Sequence, residues 1–69
     1  METLKNHVKE LRVSKGLTQG ELAELVGVTR QTIISLEKGS YVPSLLLAMK
    51  LSEVLHSPIE EMFFKETIL

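Results

Sequence analysis

Two short helical segments joined by only three residues constrain this chain more than any other feature. Residues 18–26 are predicted to form the first helix of this pair, because Thr18 and Glu21 have the spacing of a capping box. Residues 30–38 are predicted to form the second helix of the pair. Since residues 27–29 are the whole connection, the two helices must cross closely and in a fixed register.

A close crossing needs a small residue where the helices touch, a turn residue that tolerates a left-handed backbone, and a cap for the following helix. Ala23, Gly27 and Thr29 meet these needs in turn. The apolar residues whose spacing directs them inward from both helices and from the turn are Leu22, Val26, Val28, Ile33 and Leu36. All these positions in one register indicate a pair of helices packed as a unit.

The rest of the chain is also predicted to be helical. Leu4, Val8 and Leu11 have i, i+4, i+7 spacing, so a first helix is expected over about residues 4–15, with Gly16 as its stop. No segment alternates apolar and polar residues with the period of a strand.

Two further capping signals lie beyond the loop of residues 40–43. Ser44 is expected to cap a helix over about residues 45–55. Ser57 begins a second capping box, with Pro58 at the first helical position, so a short fifth helix is expected to end near Phe64. The sequence thus predicts one all-α domain of five helices over residues 1–69.

Composition excludes several functional classes. The 69 residues include no cysteine, which excludes disulfides and thiolate metal sites and suits the reducing cytoplasm. The longest apolar run, residues 45–49, is too short for a membrane helix. His7 and His56 have no metal-ligand spacing, and no serine has a histidine in a catalytic arrangement. We therefore expect no metal, no cofactor, no small-molecule ligand and no enzymatic activity.

The net charge of −1 hides an asymmetry along the chain. Residues 1–50 contain seven basic and five acidic side chains, whereas residues 51–69 contain one basic and four acidic side chains. Any surface that binds a polyanion is therefore expected in the first two thirds of the chain.

Several segments carry a pattern that resembles a known family, and they cover nearly the whole chain: residues 8–12, 15–19, 21–23, 26–33, 36–39, 43–45 and 58–63. In these segments the chain is similar to the XRE family, the helix-turn-helix proteins related to the lambda and Cro phage repressors. The resemblance implies a five-helix, lambda repressor-like fold with the helix-turn-helix at about residues 18–38. It also implies that the third helix lies in the major groove of DNA.

The same resemblance implies that Arg30 and Gln31 contact base edges, and that Gln19 contacts a phosphate. The chemistry agrees, because arginine can donate two hydrogen bonds to guanine and glutamine can pair with adenine. The predicted DNA-binding residues are Gln19, Thr29, Arg30, Gln31, Thr32, Ser35, Lys38 and Ser40. The predicted structural residues are Ala23 and Gly27 in the crossing, and Arg12 and Glu37, which pair as ions in related repressors.

Two positions depart from the family pattern. Ile34 replaces a polar residue, and it either touches a thymine methyl, packs on a neighbouring helix or is exposed. Leu46 also replaces a polar residue and is a candidate for contact with a second subunit. The apolar end of the chain predicts a twofold homodimer whose interface includes Met62, Phe64, Ile68 and Leu69.

The sequence therefore predicts a cytoplasmic regulator of transcription that binds specific double-stranded DNA, and repression is its expected effect. The alternative is a protein-interaction module, such as an antitoxin or an adaptor, with the same fold. A pure adaptor has no need for Arg30, Gln31 and Lys38 together, so their joint presence favours DNA.

Overall fold

A computed structural model describes residues 2–67 of the chain. Its elements in chain order are β1 (Glu2–Asn6), α1 (Val8–Ser14), α2 (Gln19–Val26), α3 (Arg30–Lys38), α4 (Leu45–Leu55), α5 (Ile59–Met62) and β2 (Phe63–Thr67). The five predicted helices are present, and α2, α3 and α4 have the predicted bounds to within one residue.

One apolar core lies between the five helices, and every helix contributes to it. Its buried side chains are Val8, Leu22, Ala23, Val26, Ile33, Leu36, Leu47, Ala48, Leu51, Leu55, Met62 and Phe63. Burying one leucine-sized side chain stabilises a fold by about 1.5–3 kcal/mol. In so small a domain these few side chains must supply most of the stability.

Hydroxyl side chains begin the three central helices, as predicted. The Oγ atoms of Thr18, Thr29 and Ser44 each accept a hydrogen bond from the backbone amide three residues later, at 3.0, 3.3 and 3.1 Å. These bonds satisfy amides that have no partner within the helix. The bounds of α2, α3 and α4 therefore follow from local chemistry.

Gly27 ends α2 and makes the sharp turn to α3 possible. Its φ of 75° and ψ of 32° lie in the left-handed region that glycine adopts without a steric penalty. One residue later, the amide of Val28 donates to the carbonyl of Ala23 at 3.0 Å and closes the end of the helix. The predicted three-residue connection is thus observed.

The prediction of an all-α fold is wrong, because β1 and β2 form a two-stranded antiparallel sheet. Leu4 lies opposite Lys65 in this sheet. The first helix consequently begins at Val8 and not at residue 4, and it ends at Ser14 and not at residue 15. Leu4 still packs against the core, but it does so from a strand.

Asn6 explains why α1 begins where it does. Its Oδ1 accepts a hydrogen bond from the amide of Val8 at 3.0 Å, and its Nδ2 donates to the carbonyl of Leu36 at 2.9 Å. A side chain that bonds to nearby backbone in this way competes with a continuing helix. The strand and the helix therefore meet at Asn6.

The fifth helix is also shorter than predicted, because it ends at Met62 and not at Phe64. Phe63 is extended, with φ of −118°, and begins β2 opposite Asn6. Aromatic residues favour strands when another strand is available to pair with them. The carbonyl of Met62 accepts a hydrogen bond from the amide of His7 at 2.9 Å, which joins the two ends of the described chain.

Candidate nucleic-acid interface

The outward face of α3 is fixed by the two residues that anchor its inward face. Ile33 and Leu36 are buried in the core, so the opposite side of α3 faces away from it. Arg30, Gln31 and Lys38 are exposed, while Ile34 and Ser35 are half-buried. Within residues 2–67, neither Arg30 nor Lys38 has a carboxylate at ion-pair distance. Both cations on α3 are thus available to an external anion.

Arg12 and Glu37 form the ion pair that the resemblance implied. Nε of Arg12 lies 2.7 Å from Oε2 of Glu37, and Nη2 lies 3.2 Å from Oε1, so the guanidinium binds both carboxylate oxygens. The side chains are only 10% and 4% exposed. Nη1 also donates to the carbonyl of Leu17 at 2.8 Å. The pair ties α1 and the following turn to the end of α3.

Gln19 joins this ion pair from the start of α2. Its Nε2 donates to Oε1 of Glu37 at 3.1 Å. Arg12, Gln19 and Glu37 therefore form one hydrogen-bonded network across α1, α2 and α3. Gln19 is half-buried, so its side chain is held in place at the edge of the α3 surface.

Hydrogen bonds within the chain occupy the smaller polar residues of the predicted site. Nε2 of Gln31 donates to Oγ of Ser35 at 3.3 Å along the surface of α3. The hydroxyls of Thr29 and Thr32 lie 3.0 Å apart at the start of the helix. Ser40 closes the other end, since its Oγ donates to the carbonyl of Ser35 at 3.1 Å. These bonds shape α3, and the DNA contacts of these residues stay predictions.

Sequence reasoning did not identify Asn6 as part of this region. Its bond to the carbonyl of Leu36 holds the last turn of α3 against β1. Asparagine before an amphipathic helix is a common capping signal, so this signal was present in the sequence. The bond to α3 depends on a distant contact that no local pattern reports.

The capping box at the start of α2 also affects the charge of Glu21. Its Oε1 accepts a hydrogen bond from the backbone amide of Thr18 at 2.9 Å, and the Thr18 hydroxyl accepts one from the backbone amide of Glu21. The backbone amide of Thr18, and after it the Thr18 side chain, favour the ionised carboxylate and lower the pKa of Glu21 below its ordinary value of 4.5. Because the folded pKa is lowered, the stabilisation is present above the unfolded pKa and is lost as the pH falls through the folded value.

Replacement of Thr18 by alanine is expected to raise the pKa of Glu21 toward its ordinary value. The substitution removes the hydroxyl bond and loosens the amide contact that favours the carboxylate. A carboxyl carbon NMR titration of both proteins measures the shift directly. An unchanged pKa of Glu21 in the variant would contradict the assignment.

The predicted dimer-interface residues have different positions in the fold. Met62 is completely buried in the core of a single chain, so its assignment to a subunit interface is wrong. Its place in the last turn of α5 directs it inward between the helices. Phe64 is 39% exposed and stacks on His7, with ring centroids 4.8 Å apart. Ile68 and Leu69 lie outside the described residues.

A second apolar surface follows α3 directly, and we call it the α4 patch. It consists of Tyr41, Val42, Leu45, Leu46 and Met49, all of them exposed. Leu45 and Leu46 are the first two residues of α4, and Met49 lies one turn later on the same side. Leu46 thus belongs to a group of exposed apolar residues at the start of α4.

No helix within residues 2–67 is long and apolar enough to cross a membrane. No three His, Asp or Glu side chains of that part of the chain converge as metal ligands do.

Comparison with known proteins identifies the class to which this fold and surface belong. A family model described as helix-turn-helix matches residues 8–62. The chain belongs to this helix-turn-helix family, within its XRE group of DNA-binding transcriptional regulators.

Similar proteins of nearly the same length occur in bacteria and archaea. An uncharacterized HTH-type transcriptional regulator of Bacillus subtilis, YgzD, is 52% identical over 63 residues, which are 91% of this chain and 96% of that protein. Another uncharacterized regulator, from Methanothermobacter thermautotrophicus, is 58% identical over 57 residues, covering 81% and 83% of the two chains.

Solved structures agree with this family. The restriction-modification controller protein C.AhdI of Aeromonas hydrophila aligns with a TM-score of 0.71 and 37% identity, over 78% of each chain. A putative DNA-binding protein from Bacteroides fragilis aligns with a TM-score of 0.80 and 26% identity, over 90% of this chain and 100% of that one.

Proposed function

We propose that this protein is a homodimeric repressor that recognises a specific operator by placing α3 in the major groove. The observation that carries the proposal is the outward face of α3, where Arg30, Gln31 and Lys38 are exposed together. In helix-turn-helix proteins the first residues of the recognition helix contact the base edges. Arg30 and Gln31 are the first two residues of α3.

The two ends of α3 are proposed to do different work. Arg30 can donate two hydrogen bonds to guanine, and Gln31 can pair with adenine, so the start of α3 reads sequence. Lys38 is the last residue of α3 and is proposed to contact phosphate, together with Ser40. Gln19, held by Glu37, is proposed to contact a phosphate beside the start of α3. Thr29, Thr32 and Ser35 line the same surface.

Repression requires no surface other than the one that binds DNA. A protein bound at an operator blocks other proteins from the same DNA by occupancy alone. We therefore propose repression as the regulatory outcome, in the cytoplasm where the DNA lies, and no catalytic step is involved.

Two exposed apolar surfaces support the proposed homodimer. Phe64 is exposed in β2, and the α4 patch is exposed at the start of α4 and in the segment before it. Apolar surface of this kind is stabilised when it is covered by a partner. Twofold symmetry would place two copies of α3 in successive major grooves, about 34–36 Å apart.

Replacement of Phe64 by serine is expected to weaken the dimer and favour the monomer. The substitution removes exposed apolar area, while the backbone pairing of β2 with β1 does not depend on the side chain. Sedimentation over a range of protein concentrations measures the change in dimer dissociation constant. Val13, which is 58% exposed on α1, supplies the matched control Val13→Ser. Equal dimerisation by all three proteins would exclude Phe64 from the interface.

Selection of bound sites from a random DNA library at fixed salt tests the function as a whole. A consensus with dyad symmetry is the expected result, because a twofold dimer presents two identical copies of α3. A consensus without symmetry would contradict the dimer but not the base readout. No enrichment of any sequence would contradict the proposal and favour a protein-interaction module.

A further inference from the structure

Position 20 of α2 lies near the side chain of Arg30, the first residue of α3. A methyl group at position 20 would lie 4.0 Å from Cδ of Arg30 and 4.0 Å from Oγ1 of Thr18. A small side chain at position 20 would therefore just reach the aliphatic part of Arg30, and a larger one would extend into it.

The backbone of Gly20 does not itself require glycine. The glycines of residues 2–67 with positive φ are Gly16, Gly27 and Gly39, so Gly20 has a φ that any residue can adopt. Glycine within a helix is less stable than alanine, since it gains more conformational freedom on unfolding. A glycine at this position thus has a local cost that backbone geometry does not explain.

We propose that a small residue at position 20 is needed for the base-reading position of Arg30: the space left there keeps the arginine stem free to direct the guanidinium toward one base. Arginine has many rotamers, and a neighbouring side chain that excludes the base-reading rotamers lowers affinity for the preferred base pair. A large side chain at position 20 would occupy that space and move the stem. The inference rests on the proposed role of Arg30 in base readout.

The test compares Gly20→Leu with Gly20→Ala, using the operator found by site selection and a random duplex. Alanine places its methyl group at ordinary contact distance from Arg30, so Gly20→Ala is expected to keep the operator-to-random affinity ratio and to melt at a higher temperature. A leucine side chain would extend into the space that the aliphatic part of Arg30 occupies. In Gly20→Leu the operator-to-random affinity ratio is expected to fall about fivefold or more, with affinity for random DNA nearly unchanged.

A double-mutant cycle with Arg30→Ala isolates the positioning effect. If Gly20 acts through Arg30, Gly20→Leu causes no further loss of the ratio once Arg30 is alanine. A loss that persists without Arg30, or that is equal on both DNAs, would show a direct clash with DNA and overturn the inference. An unchanged operator-to-random ratio in Gly20→Leu would also overturn the inference. If Arg30→Ala alone leaves the ratio unchanged, it is the proposed readout by Arg30 that fails.

Discussion

Replacement of Glu37 by alanine is expected to lower the free energy of unfolding by about 3–5 kcal/mol, because it leaves the buried guanidinium of Arg12 without its counterion. The carboxylate also accepts a hydrogen bond from Gln19, which loses its partner at the same time. A domain of this size has a total stability of roughly 3–10 kcal/mol. The loss is therefore a large part of the whole, and urea denaturation of the full chain measures it.

Two variants keep this experiment decisive if the alanine variant does not fold. Glu37→Gln retains hydrogen-bonding capacity but removes the charge. Its free energy of unfolding is therefore expected to lie between that of the parent and that of the alanine variant. Glu24→Ala is the surface control, and it is expected to change stability by no more than about 0.5 kcal/mol. Equal stability of Glu37→Ala and Glu24→Ala would contradict a structural role for the buried pair.

The ion pair connects the stability of the fold to the geometry of the candidate site. Arg12 bonds to the last turn of α3 through Glu37, and Gln19 bonds to the same carboxylate from α2. Asn6 also bonds to that turn, through the carbonyl of Leu36. The orientation of α3 is thus fixed at its end by three polar side chains and along its length by the core.

The parts of the fold that sequence predicted are those that local chemistry decides. Thr18, Thr29 and Ser44 cap helices through bonds three residues away, and Gly27 ends a helix through its own φ. Each of these signals is complete within a few residues of sequence. The central three helices and the turn between α2 and α3 were predictable for that reason.

The two strands were not predictable, because each needs a partner about 60 residues away along the chain. Leu4 has helical spacing with Val8 and Leu11, yet it reaches the core from β1. Met62 is buried at the end of α5, and within β2 the alternation of faces leaves Phe63 buried and Phe64 exposed. The closeness of position 20 to the side chain of Arg30 likewise depends on a crossing in three dimensions.

Replacement of Arg30 by alanine is expected to reduce operator affinity by about 1–3 kcal/mol per half-site, or about 2–6 kcal/mol for a dimer on a symmetric site. Affinity for random DNA is expected to change far less, because a base-reading side chain makes its best contacts only at the preferred base pair. The operator-to-random ratio therefore falls with the affinity. Fluorescence anisotropy on both duplexes measures the two effects together.

Lys38→Ala is the matched variant, since it removes the other exposed cation of α3 from the opposite end of the same helix. If Lys38 contacts only phosphate, both duplexes lose affinity by similar factors, and the slope of log affinity against log salt falls by about one for each site contacted. Titrations at several salt concentrations separate the two behaviours. A small loss for Arg30→Ala that is equal on operator and random DNA would mean that Arg30 lies on a solvated face and that α3 does not read bases through it.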